Sequence, residues 1–326
     1  MNKLIYTGPF LEHLENHISL KKAVGYSYEV NAKRLLSFDR FTLEKYPNAS
    51  VLSKEIVLDW CSKKAHESQA NQCSRASIMR QFAMYLESID ENAYVIPKYF
   101  YPKTTRYLPH IYTEDELKRF FSETKKCHYI SARPYRQHIM PVLFLMLYSC
   151  GLRLSEARLL TVGDVDIEEG ILSIRHSKKD NDRLVPMTNF LKQRCQEYYA
   201  KVHSYSEDSN WFFPGEPGKP LTLGNVYRNF RRFLWKAGIS HRGKGKGPRI
   251  YDFRHSFACH CLKKWVLEGV DLQTYLPVLK TYMGHYSFKE TAYYLRMTAD
   301  VFPDICIKLE GCYPDIIPVS GGFVNE

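Results

Sequence analysis

The amino-acid sequence predicts a mainly α-helical protein with one small antiparallel β-sheet, an α+β arrangement in two domains. Apolar residues recur at helical spacing through most of the chain, and the period changes to that of strands only between residues 164 and 187. A proline-rich segment near residue 100 separates the two helical stretches. The length of 326 residues exceeds that of most single domains, which also favours two domains.

Residues 1–96 are predicted to form a helical N-terminal domain. Its four helices are expected at residues 10–23, 27–46, 53–60 and 68–89, with Ser53 as the cap of the third. The fourth carries Arg75 and Arg80 beside polar side chains, a mixture that suits contacts to DNA phosphates and base edges. The alternative interpretation of these two arginines is a solvated helix face.

Residues 97–111 are predicted to be an extended basic linker. This segment holds three prolines and shows neither helical nor strand periodicity. Its cations, which we expect to contact DNA phosphates, are Lys98, Lys103 and Arg106. Thr113 and Glu116 then form a capping-box pattern, so the second domain is predicted to cover residues 112–326.

The first half of this second domain is predicted to lead from helices into a three-stranded meander. A helix over residues 134–149 ends at Cys150 and Gly151, and Ser155 begins the next helix. Strands are expected at residues 165–167, 171–176 and 183–187, joined by polar turns.

The second half returns to helices from about Thr188 and ends in an irregular tail after about Lys308. Thr222 caps a helix rich in arginine, and residues 241–249 form a loop of glycine, lysine and arginine. The cations of this helix and loop that we expect to contact DNA phosphates are Arg228, Arg231, Arg232, Lys244 and Lys246.

The charge of the chain favours a polyanionic partner. The formal net charge is +11 and the isoelectric point is about 9.1, which indicates nucleic acid first and an anionic membrane surface second. No apolar run approaches the roughly 20 residues of a membrane span. Glu12 and Glu15 interrupt any signal-peptide core. We therefore expect a cytoplasmic protein that is associated with the nucleoid and has no membrane partner.

The nine cysteines show no regular spacing, and we expect them to be free, largely buried thiols. Cys259, His260 and Cys261 suggest a metal site by composition. Adjacent residues on a helix point in different directions, however, and no second pair of ligands completes a tetrahedral site. We therefore predict no metal.

Four separated patches carry the chemistry. They are SCGLRLSEA at 149–157, SKKDNDRLVP at 177–186, YDFRHSFA at 251–258, and MGH at 283–285 followed nine residues later by Tyr294. In this order they resemble the boxes of the tyrosine recombinase (phage integrase) family, whose patterns are TGLRxSEA, the lysine hairpin GKxxxxRxVP, HDLRHTFA and LGH with a tyrosine nine residues on. A single GLR or RH would be a weak signal, but four boxes in order are specific. The resemblance covers residues 110–298.

The resemblance implies a helical core-DNA-binding domain followed by a catalytic domain that cleaves and rejoins DNA through a 3′-phosphotyrosine intermediate. The implied partners are double-stranded DNA with specific recombination sites, further copies of the chain in a tetrameric synapse, and accessory DNA-bending or co-recombinase proteins. The implied roles are integration, excision or transposition of a mobile element. No cofactor is expected, because the energy of the broken bond is kept in the phosphotyrosine link.

The residue types support the same assignment. A phosphodiester repels an incoming anion, and two guanidinium groups, here Arg153 and Arg254, can bind its non-bridging oxygens and stabilise the charge of the transition state. Lys178 matches the family's hairpin lysine by its distance from RLVP, which favours it over Lys179, and it is expected to donate a proton to the leaving 5′-oxygen. His285 is expected to donate a hydrogen bond to the scissile phosphate.

The spacing from His285 selects Tyr294 as the nucleophile, and Tyr293 is its main rival. The resemblance assigns two further site residues. Glu156 is expected to orient a catalytic side chain, and His255 is expected to lie near the phosphate. One position departs from the pattern: Tyr251 stands where the family has histidine. Tyrosine still donates a hydrogen bond but accepts a proton poorly at neutral pH.

Two other functions stay open at this point. A DNA-binding protein that has lost catalysis is supported only by Tyr251. A type IB topoisomerase-like enzyme shares the same chemistry but needs no synapsis of two sites. A short apolar helix predicted at residues 300–308 favours recombination, because such a segment docks on a neighbouring subunit in the family.

Overall fold

The structure is a computed structural model, and it describes residues 4–102, 107–131, 133, 135–175, 182–204, 210–243 and 246–301, with side chains through residue 298. The chain divides into two compact units, Met1–Arg106 and Tyr107–Glu326. The division lies inside the segment that the sequence predicts as a linker. The prediction of a mainly helical chain with one small antiparallel sheet is confirmed.

The first unit contains the four predicted helices. They are α1 (Leu11–Ala23), α2 (Glu29–Lys45), α3 (Lys54–Cys61) and α4 (Gln69–Glu87). The Ser53 hydroxyl accepts a hydrogen bond from the backbone N–H of Ile56, which confirms the predicted cap of α3. The four helices pack around a buried aromatic centre that includes Phe38, Phe82 and Trp60.

Part of the predicted linker packs onto this first unit. Residues 97–102 form neither helix nor strand, as predicted, but the Tyr101 hydroxyl donates a hydrogen bond of 3.0 Å to the carbonyl oxygen of Cys61. Tyr101 also packs against the apolar core of the unit. The segment up to Pro102 is therefore a fixed part of the first unit rather than a free spacer.

The second unit follows the predicted order of helices, sheet and helices. Its elements are α5 (Glu114–Lys125), α6 (Arg136–Ser149), α7 (Leu154–Arg158), a 3₁₀ turn (Val162–Asp164), β1 (Val165–Asp166), β2 (Ile171–Ile174), β3 (Arg183–Pro186), α8 (Asn189–Val202), α9 (Leu223–Lys236), α10 (Asp252–Leu267), α11 (Leu272–Met283) and α12 (Phe288–Val301). Thr113 and Glu116 form the predicted capping box of α5, and Thr222 caps α9. These caps confirm the helix starts that the sequence predicts.

The sheet is the predicted antiparallel meander in the order β1-β2-β3, with Leu172 paired to both Val165 and Val185. The first strand is shorter than predicted. The carboxylate of Asp166 accepts hydrogen bonds from the backbone N–H groups of Glu168 and Glu169, at 3.0 and 2.8 Å. This local turn ends the strand at Asp166.

Two apolar clusters form the interior of the second unit, and α10 belongs to both. Phe253 packs with Phe120 and Phe144 in the larger cluster, whereas Ala258 lies in a second cluster formed with α11 and α12. Phe253 immediately precedes Arg254. The helix that carries Arg254 is therefore fixed on both sides by apolar packing.

Cysteines 61, 73, 127, 150, 195, 259 and 261 are free thiols, most of them buried. His260, the centre of the Cys-His-Cys triplet, has its Nδ1 atom 2.9 Å from the Tyr148 hydroxyl. Within the described ranges, no three His, Cys, Asp or Glu side chains are grouped so that they could hold a metal ion. In the same part of the chain, no helix has both the length and the apolar character that crossing a membrane requires.

Candidate active site

Arg254 lies deep in the second unit, in the first turn of α10, and only 1% of it is exposed. Its Nη1 atom donates to the carbonyl oxygen of Gly151 at 2.7 Å, and its Nη2 atom donates to that of Met283 at 2.5 Å. Its buried Nε atom has no hydrogen-bond partner. Two carbonyl groups thus fix the guanidinium group, and the Nε N–H is among the donors that stay available.

Arg153 stands at the N-terminus of α7, where Glu156 closes the first turn. The Glu156 carboxylate accepts from the Arg153 backbone N–H at 2.9 Å and from its Nη1 atom at 2.7 Å. The Nη2 atom of Arg153 donates to the carbonyl oxygen of Gly284 at 3.0 Å. Glu156 thus caps the first turn of α7 through the Arg153 backbone N–H and also pairs with the Arg153 side chain.

Three arginines therefore meet at the C-terminal end of α11. The carbonyl groups of Tyr282, Met283 and Gly284 accept from Arg183, Arg254 and Arg153, respectively. The last carbonyl groups of a helix have no partner within it and carry partial negative charge, so cations are stabilising there. The helix end holds the two predicted phosphate-binding arginines at adjacent positions.

His285 follows directly, because Gly284 adopts a left-handed conformation with φ of 63° and ends α11. The Nδ1 atom of His285 lies 2.8 Å from the Thr291 hydroxyl, and its ring is nearly parallel to that of Tyr294, with centres 5.6 Å apart. Burial lowers the pKa of His285 to about 3, and the nearby Arg254 and Arg153 add to this effect. The imidazole is therefore neutral at pH 7.

Tyr294 and Tyr293 differ in their surroundings on α12. Tyr294 is 3% exposed and lies between the rings of His285 and His255, whereas Tyr293 is 39% exposed. Burial raises the pKa of Tyr294, and the positive charge of nearby Arg254 opposes that rise. Burial in the free protein thus disfavours the phenolate, while the adjacent guanidinium group favours it.

A cavity of about 340 Å³ opens at this place. It brings together several of the predicted residues, and its lining consists of Arg153, Tyr251, His285, Ser287, Lys289, Glu290, Tyr293 and Tyr294. Ser287, Lys289 and Glu290 are not among the predicted site residues. The sequence signal for Lys289 was its helical spacing of four from Tyr293 on the same helix.

Arg183 is a further residue of the site that the sequence interpretation did not single out. It stands in the RLVP end of the hairpin patch, and its guanidinium group donates to both carboxylate oxygens of Glu156, which also accept from Arg153. Burial raises the pKa of Glu156, but hydrogen bonds from Arg183 and Arg153 outweigh this effect and keep the pKa below its usual value. Glu156 is therefore a buried carboxylate shared by two arginines.

Tyr251 and His255 occupy successive turns at the start of α10. Tyr251 is 43% exposed, and its ring centre lies 5.0 Å from that of His255. The Nδ1 atom of His255 is buried and has no hydrogen-bond partner. Burial lowers the pKa of His255 to about 4, with a further contribution from Arg254. His255 is thus a neutral imidazole beside the rings of Tyr251 and Tyr294.

The structure corrects the prediction that Arg75 contacts DNA. Arg75 is buried, and its guanidinium group pairs with Glu67 and donates to the carbonyl oxygens of Trp60 and Ser62. A buried carboxylate needs such a partner, so Arg75 holds α4 against the end of α3. Sequence spacing could not show this, because the helix face that carries Arg75 is polar at neighbouring positions.

The other residues that are predicted to contact DNA differ in their exposure to solvent. Arg80 is half-buried and donates to the carbonyl oxygen of Ile96 at 2.8 Å, while Lys98 is exposed. Lys246 and the three arginines of α9 are exposed. The predicted residues that lie outside the described part of the chain are Lys103, Arg106, Lys178 and Lys244.

Comparison with known proteins identifies the family of the chain. The model of the phage integrase family matches residues 111–300, more than half of the sequence. The chain belongs to the phage integrase family. It is a tyrosine recombinase, an enzyme of site-specific recombination, and its curated relatives carry related names.

A protein named as an integrase/recombinase, y4rB of Sinorhizobium fredii, is 28% identical over 319 residues, which cover 94% of this chain and 98% of y4rB. Tyrosine recombinase XerA of Thermococcus kodakarensis is 29% identical over 202 residues, which cover 61% of this chain and 62% of XerA. These matches extend the similarity well beyond the four short boxes.

Solved structures share the fold. The XerH site-specific recombinase in a post-cleavage complex with difH matches with a TM-score of 0.62 at 18% identity, over 84% of this chain and 77% of XerH. The Tn1549 transposon integrase in complex with a circular intermediate DNA matches with a TM-score of 0.60 at 17% identity, over 86% of this chain and 94% of the integrase.

Proposed function

We propose that this recombinase cleaves double-stranded DNA at specific sites with Tyr294 as nucleophile, and that it serves integration, excision or transposition of a mobile element. The observation that carries the proposal is the cavity shared by Arg153, His285 and Tyr294, with the charge of buried Arg254 acting on the phenol. A phosphodiester placed in this cavity meets the guanidinium group of Arg153 and a neutral imidazole beside the Tyr294 hydroxyl, and the buried Arg254 adds a second positive charge.

The cleavage step follows from this arrangement. The Tyr294 phenol releases its proton to water and its oxygen attacks phosphorus, so that a phosphotyrosine bond to the DNA 3′-phosphate forms while the bond to the 5′-oxygen breaks. Arg153 and Arg254 stabilise the added negative charge, and we assign the proton taken up by the leaving 5′-oxygen to Lys178. Religation is the reverse: a 5′-hydroxyl attacks the phosphotyrosine, and Tyr294 recovers its proton. No cofactor is needed, because the phosphoester bond is exchanged rather than hydrolysed.

His285 and the residues around it have supporting roles in this proposal. The Nδ1 atom of His285 is engaged with Thr291, which leaves the other ring nitrogen for a non-bridging phosphate oxygen. Tyr251 lines the cavity and can donate a hydrogen bond to the same phosphate. Glu156 orients Arg153, and His255 lies beside Tyr294.

DNA binding is assigned to exposed cations in both units. In the second unit, α9 presents Arg228, Arg231 and Arg232 on its exposed face, and Lys246 lies in the following loop. In the first unit, Lys98 is exposed and Arg80 is partly so. Lys103, Arg106 and Lys244 complete the proposed set. Such cations neutralise phosphates and release counterions on binding.

The relatives guide the proposed partners. The solved XerH and Tn1549 proteins are described in complexes with DNA. We infer by analogy that this chain acts on DNA carrying recombination sites, as a homo-tetrameric synapse, with accessory DNA-bending or co-recombinase proteins, at the nucleoid. The net charge of +11 supports a DNA partner.

The test is covalent trapping on a nicked suicide DNA site, identified first by selection from random or flanking mobile-element DNA. Wild-type protein should give an adduct that resists denaturation, and Tyr294→Phe should give none while still binding the DNA. Tyr293→Phe is the matched control, because it removes a hydroxyl from the neighbouring, more exposed ring of the same cavity. An adduct that survives Tyr294→Phe but disappears with Tyr293→Phe would transfer the role to Tyr293.

A further inference from the structure

The Glu156 carboxylate is divided between two arginines. Its Oε1 atom accepts from Arg153 Nη1 at 2.7 Å and Arg183 Nη1 at 3.2 Å. Its Oε2 atom accepts from the Arg153 backbone N–H and from Arg183 Nη2, both at 2.9 Å. Each oxygen therefore has one hydrogen bond from the strand residue Arg183 and one from Arg153, which also lines the cavity.

Arg183 does not face the cavity. Its side chain is 4% exposed, and it is absent from the residues that line the 340 Å³ cavity. Each of its three nitrogen atoms makes a hydrogen bond, because Nε donates to the carbonyl oxygen of Tyr282 at 2.8 Å and both Nη atoms donate to Glu156. Three of the five N–H groups are thus used inside the protein, and they hold Arg183 outside the lining of the cavity.

The electrostatic consequence concerns Arg153. The side chain of Glu156 is 4% exposed, so its interaction with either arginine is weakly screened by water. With two cationic partners, the carboxylate neutralises each guanidinium group only in part. If Arg183 is removed, the whole charge of Glu156 acts on Arg153, and the cation that faces the phosphate is both weakened and drawn toward Glu156.

We propose that Arg183 is a positioning residue for DNA cleavage: by sharing Glu156 and anchoring to Tyr282, it keeps the position and charge of Arg153 available to the scissile phosphate. This inference rests on the proposed function, since it assumes that Arg153 binds that phosphate. Arg183 also links β3 to the end of α11 through a buried contact. The hydrogen bonds of Arg183 thereby fix the sheet, α7 and the turn before His285 relative to one another.

The first experiment compares Arg183→Gln with a matched control. Arg175→Gln is suitable, because Arg175 follows β2 of the same sheet and pairs with Asp164, but its side chain is 62% exposed. Arg183→Gln should cleave a suicide site about tenfold to hundredfold more slowly at saturating DNA, whereas its affinity for DNA should change less than about threefold. Arg175→Gln should cleave at the wild-type rate.

The second experiment identifies the route of the effect with a substrate whose scissile phosphate is a methylphosphonate, which lacks one negative charge. If Arg183 acts through the charge of Arg153, the defect of Arg183→Gln relative to wild type should shrink to below about threefold on this DNA. The double variant Glu156→Gln/Arg183→Gln adds a third measurement. Its defect should be smaller than the product of the two single defects by about fivefold or more.

Each outcome decides the proposal. Wild-type cleavage of Arg183→Gln, equal defects on both substrates, or a double defect equal to the product of the singles would each overturn it. A wild-type protein that forms no adduct would instead overturn the proposed function itself. Circular dichroism checks the folding of each variant, and Arg183→Lys replaces Arg183→Gln if the latter does not fold. Lysine keeps the charge but cannot bind both carboxylate oxygens and Tyr282 together.

Discussion

His285 is held as a neutral ring by its surroundings, and this has a measurable effect on stability. Its pKa is lowered to about 3, whereas the pKa of an unfolded histidine is about 6.5. As the pH falls below about 6.5, the unfolded chain takes up a proton that the folded protein does not. The free energy of unfolding is therefore unaffected by His285 above this pH and decreases between about pH 6.5 and 3.

We predict that His285→Gln weakens the acid sensitivity of the free protein. Between pH 7.5 and 5, the loss of unfolding free energy should be smaller in this variant than in wild type by about 2 kcal/mol, measured by urea unfolding of the full chain without DNA. His128→Gln serves as a control, because His128 is exposed. An identical loss in His285→Gln and wild type would contradict the prediction.

Gly284 is the point at which the end of α11 meets the arginines. Its φ is 63°, and a Cβ atom there would lie 2.7 Å from Arg183 Nη1. Gly269 is a matched control, because its φ is 69° and a Cβ atom would meet nothing within 4 Å. Both glycines adopt a positive φ that disfavours other residues, but only a Cβ atom at Gly284 would collide with a neighbouring side chain.

We predict that both Gly269→Ala and Gly284→Ala lose about 1–2 kcal/mol of stability from backbone strain. Gly284→Ala should lose at least about 1 kcal/mol more, because the guanidinium group that pairs with buried Glu156 must move. It should also slow suicide-site cleavage, while Gly269→Ala should not. Equal stability and equal cleavage rates for the two variants would argue against a structural role for the Gly284–Arg183 contact.

Helix α9 has two faces. Arg228, Arg231 and Arg232 lie on the exposed face, and Phe230 and Phe233 on the opposite, apolar face pack into the core.

We predict that Arg231→Gln lowers the slope of log affinity for DNA against log salt concentration by about 0.9, the value for one phosphate contact on B-DNA. Arg194→Gln on α8, where an exposed arginine pairs with Glu197, should leave the slope unchanged. Filter-binding titrations over a range of salt concentrations measure both, and equal slopes for the two variants would contradict the prediction.

The whole chain is expected to work as an assembly on DNA, and the segment after α12 is the proposed docking element. It contains the apolar residues Phe302, Ile305 and Ile307, which lie outside the described residues. A chain that ends at Val301 keeps α12, including Tyr294. We predict that this truncation weakens the synaptic complex and spares binding of one subunit to a half-site, as measured by native gel shift.

A milder truncation separates this effect from tail length in general. Removing only residues 313–326 keeps the three apolar positions and should leave the synaptic complex as in the full chain. Unchanged assembly after truncation at Val301 would count against docking by this segment.

The features of the fold that the sequence predicts correctly are those that depend on neighbouring residues. Capping residues such as Ser53, Thr113 and Thr222 act within one turn, so helix starts were predictable from neighbouring residues. The change of period between residues 164 and 187 likewise predicted the meander. The choice of Tyr294 over Tyr293 came from its spacing after His285, and the burial of Tyr294 beside Arg254 supports that choice.

The sequence by itself determined the kinds of side chain in the site and their order, because phosphate chemistry requires particular groups and helices and turns form from local signals. Only the tertiary structure decided which of these groups meet. The burial of Arg75 against Glu67 and the end of α3 depends on how two helices pack. The convergence of Arg153, Arg183 and Arg254 on the carbonyl groups of Tyr282, Met283 and Gly284 joins residues that are distant in the chain. Such contacts depend on how helices pack around a shared core, and spacing within one segment carries no record of that packing.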